Sequence, residues 1–278
     1  MPTRDTAWPQ GTPCWVDCQV DDTTAARAFY GELFGWDIQD GPDEFGGYLM
    51  AMKDGRAAAG IGPKPQGGPA MPSVWTTYLA ADSADATAAK VAEAGGTAMM
   101  PPFDVGPVGR MFVATDPTGG VFGVWEAKEH IGAGVFNEDG AYCWNELHTV
   151  DYDAARVFYG QVFGHVFTEI GDGENFAYST FALGDGGPKA AVGGLADETT
   201  MPGGSPMSYW LTWFQVADAD AASAKAVELG ASVMMGPDDS AFGRMTVLTG
   251  PQGEVFGLID PTTTVAVEDV VVDGSTSA

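Results

Sequence analysis

The sequence predicts an α+β fold of four βαβββ modules, arranged as two homologous halves with curved, mostly antiparallel sheets. An internal repeat, a shared grammar within each repeat and a turn-rich composition together predict it. Residues 14–36, CWVDCQVDDTTAARAFYGELFGW, match residues 143–165, CWNELHTVDYDAARVFYGQVFGH, at an offset of 129 (144 − 15). DATAAKVAEAGGTAMMPP from Asp85 matches DAASAKAVELGASVMMGP from Asp220 at an offset of 135 (220 − 85). GRMFVATDPTGGVFGVWE from Gly109 likewise matches GRMTVLTGPQGEVFGLID from Gly243. The order is therefore A-B-A′-B′. The expected divisions are a first domain over 12–127, a linker over 128–140, a second domain over 141–260 and a flexible acidic tail over 261–278.

Each module opens on an apolar strand led by a tryptophan: Trp15, Trp75, Trp144 and Trp210. A helix follows. In the first module Asp22 or Thr23 caps it, and Ala26, Phe29, Tyr30 and Leu33 fall on one apolar face. Gly35 ends it as a left-handed residue. Short runs broken by glycine, such as GYLMAMKDGRAAAGIG, then read as hairpin strands. Asp116-Pro117-Thr118-Gly119 reads as a tight turn between the last two strands of its module. In the tail, Val265–Val272 is the one run able to add an edge strand.

Composition narrows the function classes. With 12 basic and 38 acidic residues, the chain carries a net charge of −26, which opposes binding to nucleic acid or acidic membranes. No apolar run reaches the roughly 18–20 residues of a membrane helix, and MPTRDTAWPQ lacks the pattern of a signal peptide. A cytoplasmic protein, monomeric or homodimeric, is expected. Cys14, Cys18 and Cys143 read as free thiols, and no cysteine–histidine spacing suggests zinc. No phosphate loop, dinucleotide fingerprint or GxSxG is present.

The helix ending FYGELFGW and the strand DPTGGVFGVWE, in four ordered repeats covering nearly the whole chain, resemble the vicinal oxygen chelate superfamily of glyoxalases, bleomycin-resistance proteins and extradiol dioxygenases. The tandem form is similar to two-domain actinobacterial members, some of which accompany aromatic polyketide pathways. The resemblance implies a cup on the concave face of each half. It also implies a metal held by a His on the first strand of each paired module and a Glu on the last strand. Those positions fall here on Trp15, Trp75 and Gly123, and in the second half on Trp144, Trp210 (or Leu211 with a one-residue register slip) and Gly257. Neither indole nor glycine is a metal donor, so no metal and no cofactor are expected.

Alternation along the strands predicts what lines the cups instead. If Trp15 faces the first cup, Asp17 and Gln19 follow; Trp144 brings Glu146 and His148. By the same rule Trp75 brings Thr77 and Leu79, Trp210 brings Thr212 and Phe214, Gly123 brings Trp125, and Gly257 brings Ile259. The expected ligand-binding set is Trp15, Asp17, Trp75, Thr77, Trp125, Trp144, Glu146, His148, Trp210 and Thr212. Asp17, Glu146 and His148 are the candidates for any proton transfer. Residues i and i+2 on a strand stand about 7 Å apart, which argues against direct pairing of Glu146 with His148. His130 and His165 read as structural, and Arg110 and Arg244 as partners of local carboxylates or, in the alternative, of a ligand's carbonyl or phenolate. Phe29, Tyr30, Phe158 and Tyr159 read as packing.

Two functions compete. The first is a binding protein without the family metal that takes a flat aromatic or apolar natural product, in self-resistance or as a biosynthetic accessory. The alternative is a metal-independent enzyme for proton transfer, isomerisation or elimination on a polyketide-like substrate. A metal-dependent lyase or dioxygenase is disfavoured.

Overall fold

The computed structural model describes residues 2–65, 71–170, 177–201 and 203–264. Four βαβββ modules follow one another. The first comprises β1 (Pro13–Val20), α1 (Thr23–Phe34), β2 (Asp37–Asp40), β3 (Leu49–Lys53) and β4 (Arg56–Pro63). The second comprises β5 (Val74–Ala80), α2 (Ala84–Glu93), β6 (Thr97–Ala98), β7 (Phe103–Val105), β8 (Gly109–Thr115) and β9 (Val121–Ala127). Met99 to Pro102, with two consecutive prolines, interrupts what would be a single strand and leaves β6 and β7 as separate pieces. The third has β10 (Tyr142–Thr149), α3 (Tyr152–Phe163), β11 (His165–Glu169), β12 (Tyr178–Leu183) and β13 (Ala191–Asp197). The fourth has β14 (Tyr209–Gln215), α4 (Ala219–Glu228), β15 (Ser232–Ser240), β16 (Gly243–Thr249) and β17 (Val255–Asp260). The tail expected over 261–278 lies outside the described residues from 265 onward, and with it the run Val265–Val272.

Local chemistry sets the helix ends. Asp22 accepts from the backbone N–H groups of Thr24 and Ala25, and Gly35 closes α1 at φ 67°. Asp151 and Gly164 repeat the device on α3. Asp116 closes the turn between β8 and β9 by accepting from the Gly120 and Thr118 N–H groups.

Each half builds its own sheet. The first runs β2-β3-β4-β1-β5-β9-β8-β6, with β7 also on β8; the second runs β11-β12-β13-β10-β14-β17-β16-β15. At the centre of each, the opening strands of its two modules pair antiparallel, β1 on β5 and β10 on β14. The helix-side faces of the two sheets turn toward each other. Phe29, Tyr30 and Phe34 of α1 pack with Phe214 and Phe256 of the second half. Phe158, Tyr159 and Phe163 of α3 pack with Phe122 of the first. The segment expected as a linker is partly core: Gly132 to Val135 are buried, and Val135 bridges to Thr3. Among the described residues no helix is long and apolar enough to cross a membrane.

Candidate functional sites in the two cups

The four leading tryptophans divide by face. Register pairs Trp15 with Tyr78 and Asp17 with Thr76, so Trp15 and Asp17 share the concave face with Tyr78. Trp75 is paired with Cys18 and Thr77 with Val16, on the opposite, helix-side face. The second half repeats this: Trp144 stands opposite Trp213 and Glu146 opposite Leu211, whereas Trp210 pairs with Leu147 and Thr212 with Asn145. The expectation that Trp75, Thr77, Trp210 and Thr212 line the cups, with Leu79 and Phe214, is therefore corrected. These residues are buried on the helix-side faces, and Thr77 and Thr212 both donate to Asn145 Oδ1, at 2.9 and 3.0 Å. The cup positions on these strands belong to Tyr78, Leu211 and Trp213.

On both faces every leading tryptophan does the same thing: its indole N–H donates to a tyrosine hydroxyl that donates to a carboxylate. Trp15 reaches Tyr48 at 3.0 Å, and Tyr48 reaches Asp17 at 3.2 Å. Trp144 reaches Tyr178 at 2.9 Å, and Tyr178 reaches Glu146 at 2.6 Å. The other two chains tie the halves together. Trp75 reaches Tyr30 at 3.0 Å, and Tyr30 reaches Glu254 at 2.9 Å. Trp210 reaches Tyr159 at 3.0 Å, and Tyr159 reaches Asp116 at 2.9 Å. Tyr30 and Tyr159, expected as packing, thus also satisfy buried polar groups across the seam.

The first cup is filled. Tyr78 donates to Asp17 at 3.1 Å, and its ring lies so close to Gly123 that a Cβ there would collide with it. His130 closes the cup, its ring 4.5 Å from that of Trp15 and 5.5 Å from that of Trp125. Burial pushes the Asp17 carboxyl up to about 7, only partly offset by hydrogen bonds from Tyr78 and Tyr48. Among the described residues, its Oδ1 and the Nε2 of His130 have no hydrogen-bond partner and are buried. Burial holds His130 down to about 4, in its neutral form.

The second cup holds a buried charged cluster. Glu146 accepts from Trp213 Nε1 at 2.8 Å and lies 3.1 Å from His148 Nε2. The two residues therefore pair directly, contrary to the spacing expectation, because their side chains converge rather than standing upright from the strand. His148 Nδ1 lies 2.6 Å from Glu198, which sits in a 3₁₀ turn, Glu198–Thr200, and also accepts from Tyr209 at 3.0 Å and from the Ser205 N–H. The His148 ring stacks on Tyr209 with centroids 4.8 Å apart. Burial alone would lower the His148 pKa, but the bonds to Glu146 and Glu198 outweigh it and raise it to about 9. Burial opposes the charge on both carboxylates, yet His148 leads a set of donors that takes each below the usual range. Trp144 and Tyr209 are half-buried, and Phe242 is 49% exposed beside Tyr178.

The residues at the family's metal positions do not fit a metal. Trp75 and Trp210 face away from the cups, Gly123 lies under Tyr78, and Gly257 lies under Trp213. Among the described residues no group of three His, Cys, Asp or Glu is arranged to hold an ion. In the Glu146–His148–Glu198 cluster the carboxylates occupy opposite ring nitrogens, so the three cannot converge on one ion.

The remaining sequence assignments find their places. Arg110 pairs with Asp85 and Asp104, and Arg244 with Asp220 and Asp239. His165 is buried, 2.7 Å from the Gly11 carbonyl oxygen. Cys14, Cys18 and Cys143 are free. Sequence reasoning missed Tyr48, Tyr78, Tyr178, Glu198, Tyr209 and Trp213. The repeat offset of 135 aligns Tyr78 with Trp213 and so held a signal for that pair; nothing in the sequence marked Glu198.

The model of the Glyoxalase/Bleomycin resistance protein/Dioxygenase superfamily matches residues 14–123 and 144–258. CFP32 of Mycobacterium tuberculosis, described as a candidate glyoxylase, is 46% identical over 267 residues, covering 94% of this chain and 98% of its own. The anthracycline biosynthesis protein DnrV of Streptomyces peucetius is 34% identical over 270 residues, covering 92% of this chain and 95% of its own. Among solved structures, the Mn(II)-bound glyoxalase of Novosphingobium aromaticivorans shares the fold at TM-score 0.60 and 18% identity, over 93% of this chain and 87% of that one. With two matched segments that span most of its length, the chain belongs to the Glyoxalase/Bleomycin resistance protein/Dioxygenase superfamily.

Proposed function

We propose that the protein binds a flat aromatic small molecule in its second cup, without the metal of its catalytic relatives, as an accessory to aromatic natural-product biosynthesis or resistance. The observation that carries this reading is the asymmetry between the cups. The first is closed by Tyr48, Tyr78 and His130. The second sets the half-buried Trp144 and Tyr209 and the exposed Phe242 around the charged cluster of Glu146, His148 and Glu198. Apolar walls with a few placed polar groups are the ordinary make-up of a small-molecule site. The 34% identity to a protein described as acting in anthracycline biosynthesis supports the aromatic class of ligand. A cytoplasmic setting is part of the proposal and rests on the three free thiols.

Asp17 favours a second reading, metal-independent proton transfer, because its carboxyl lies near 7. Its burial beneath two tyrosines makes this the weaker of the two.

The test is a calorimetric and tryptophan-fluorescence titration in EDTA with planar polycyclic aromatics. Saturable binding that Trp144→Ala weakens about tenfold or more, while Trp15→Ala leaves it within about twofold, is expected, since one stacked aromatic contributes on the order of 1 kcal/mol plus its burial. No saturable binding across the panel, or binding only after metal is added, would reject the reading.

A further inference from the structure

We propose that the second cup selects a ligand carrying a single positive charge, with Glu146 and Glu198 together supplying one more negative charge than His148 offsets. This rests on the aromatic-binding reading above and names the chemistry that the charged cluster of that site prefers.

The charge count follows from geometry. Two carboxylates flank one imidazole, Glu146 at 3.1 Å on Nε2 and Glu198 at 2.6 Å on Nδ1. When both ring nitrogens face carboxylate oxygens, both must carry protons, so the ring is an imidazolium. The cluster then sums to −1. Its pKa directions agree, with His148 raised and both glutamates lowered. Among the described residues no lysine or arginine forms an ion pair with Glu146 or Glu198, so the excess charge is not cancelled within the protein.

The carboxylates also have unused capacity. Glu146 accepts from Trp213, Tyr178 and His148; Glu198 accepts from His148, Tyr209 and the Ser205 N–H. A carboxylate offers about four lone-pair sites. One on each remains for an ammonium or iminium donor. The surrounding aromatic rings are compatible, because ring faces attract cations within about 6 Å of their centroids. The first cup differs. Among the described residues Asp17 has no cationic partner, and burial raises its carboxyl to about 7, so at neutral pH that cup carries only part of one negative charge.

The experiment compares three planar probes of matched size by calorimetry in EDTA at neutral pH: 9-aminoacridine (a cation), anthracene-9-methanol (neutral) and anthracene-9-carboxylate (an anion). The cation is expected to bind about tenfold or more tighter than the neutral probe, with the anion weakest, and the difference should shrink as salt is raised. Glu198→Gln brings the cluster to zero and should remove the cation's advantage. His148→Gln brings it to −2 and should enlarge that advantage. Opposite effects from two variants of one cluster cannot arise from misfolding alone, and circular dichroism of each checks the fold. Equal or tighter binding of the neutral or anionic probe would overturn this inference while leaving the aromatic-binding reading intact. Failure of all three probes to bind would overturn both.

Discussion

Asp17 and His148 both hold their protons more tightly in the folded protein, so each loses stabilisation as pH rises, over different pH windows that can be measured. Burial moves the Asp17 carboxyl up to about 7 in the folded protein from its ordinary value of 3.8. The folded state therefore holds more protons than the unfolded state between those values, and this group's contribution to stability falls as pH rises from about 4 to about 7. Asp17→Asn removes that loss. The variant should gain on the wild type by about 1–3 kcal/mol between pH 5 and pH 8, read as a change in the difference of midpoints in urea. A difference independent of pH would contradict the raised value. His148 is raised to about 9, so its ion pairs are fully present below pH 6.5 and are lost as pH rises through 9. Its ring nitrogens should both show imidazolium chemical shifts in NMR at pH 7.5, and Glu198→Gln should move that titration downward.

Helix and strand positions explain what the sequence made legible and what it hid. The modules, their order, the Asp caps and the turn at Asp116 follow from repeats and local chemistry, because each depends on neighbours in the chain. The faces of β5 and β14 depend on pairing across the sheet, where one residue of shift exchanges the two faces. The count back from the helix cap carries the missing parity. Trp15 and Trp144 stand seven residues before Asp22 and Asp151 (22 − 15 and 151 − 144), but Trp75 and Trp210 stand eight before Ser83 and Asp218 (83 − 75 and 218 − 210). By that count Asp17 is equivalent to Tyr78, and Glu146 to Trp213, each five residues before its cap. The two members of each pair belong to adjacent central strands and hydrogen-bond to one another. Glu198 reaches the site from a turn after β13, and no local pattern announces it. The glycines beneath these rings are required by close approach: a Cβ at Gly123 or Gly257 would enter the Tyr78 or Trp213 ring. Gly123→Ala and Gly257→Ala should each lower stability by about 1–3 kcal/mol in urea unfolding, the usual cost of overpacking. Only the second should also weaken aromatic ligands.

Across the whole molecule, the two halves share their polar ties and their core. Tyr30 on α1 satisfies Glu254 of the second half, and Tyr159 on α3 satisfies Asp116 of the first. Tyr30→Phe leaves the Trp75 N–H and the Glu254 oxygen short of a partner inside the protein, and should cost about 1–3 kcal/mol. Expressed alone, residues 1–128 would expose Phe29, Tyr30, Phe34 and Trp75, which now pack against Phe214 or Phe256. That half should lack a cooperative unfolding transition, and co-expression with residues 129–278 should restore one. A cooperative transition in the isolated half would show that the shared core is dispensable.

The assignment of ligand binding to the second cup is tested most directly by NMR of the indole N–H groups, one for each of the eight tryptophans. Titrating 9-aminoacridine into the ¹⁵N-labelled protein in EDTA should shift the signals of Trp144 and Trp213. Those of Trp15 and Trp125, in the closed cup, and of Trp75 and Trp210, between the halves, should stay in place. Shifts confined to Trp15 and Trp125, or no shift at saturating probe, would contradict the account.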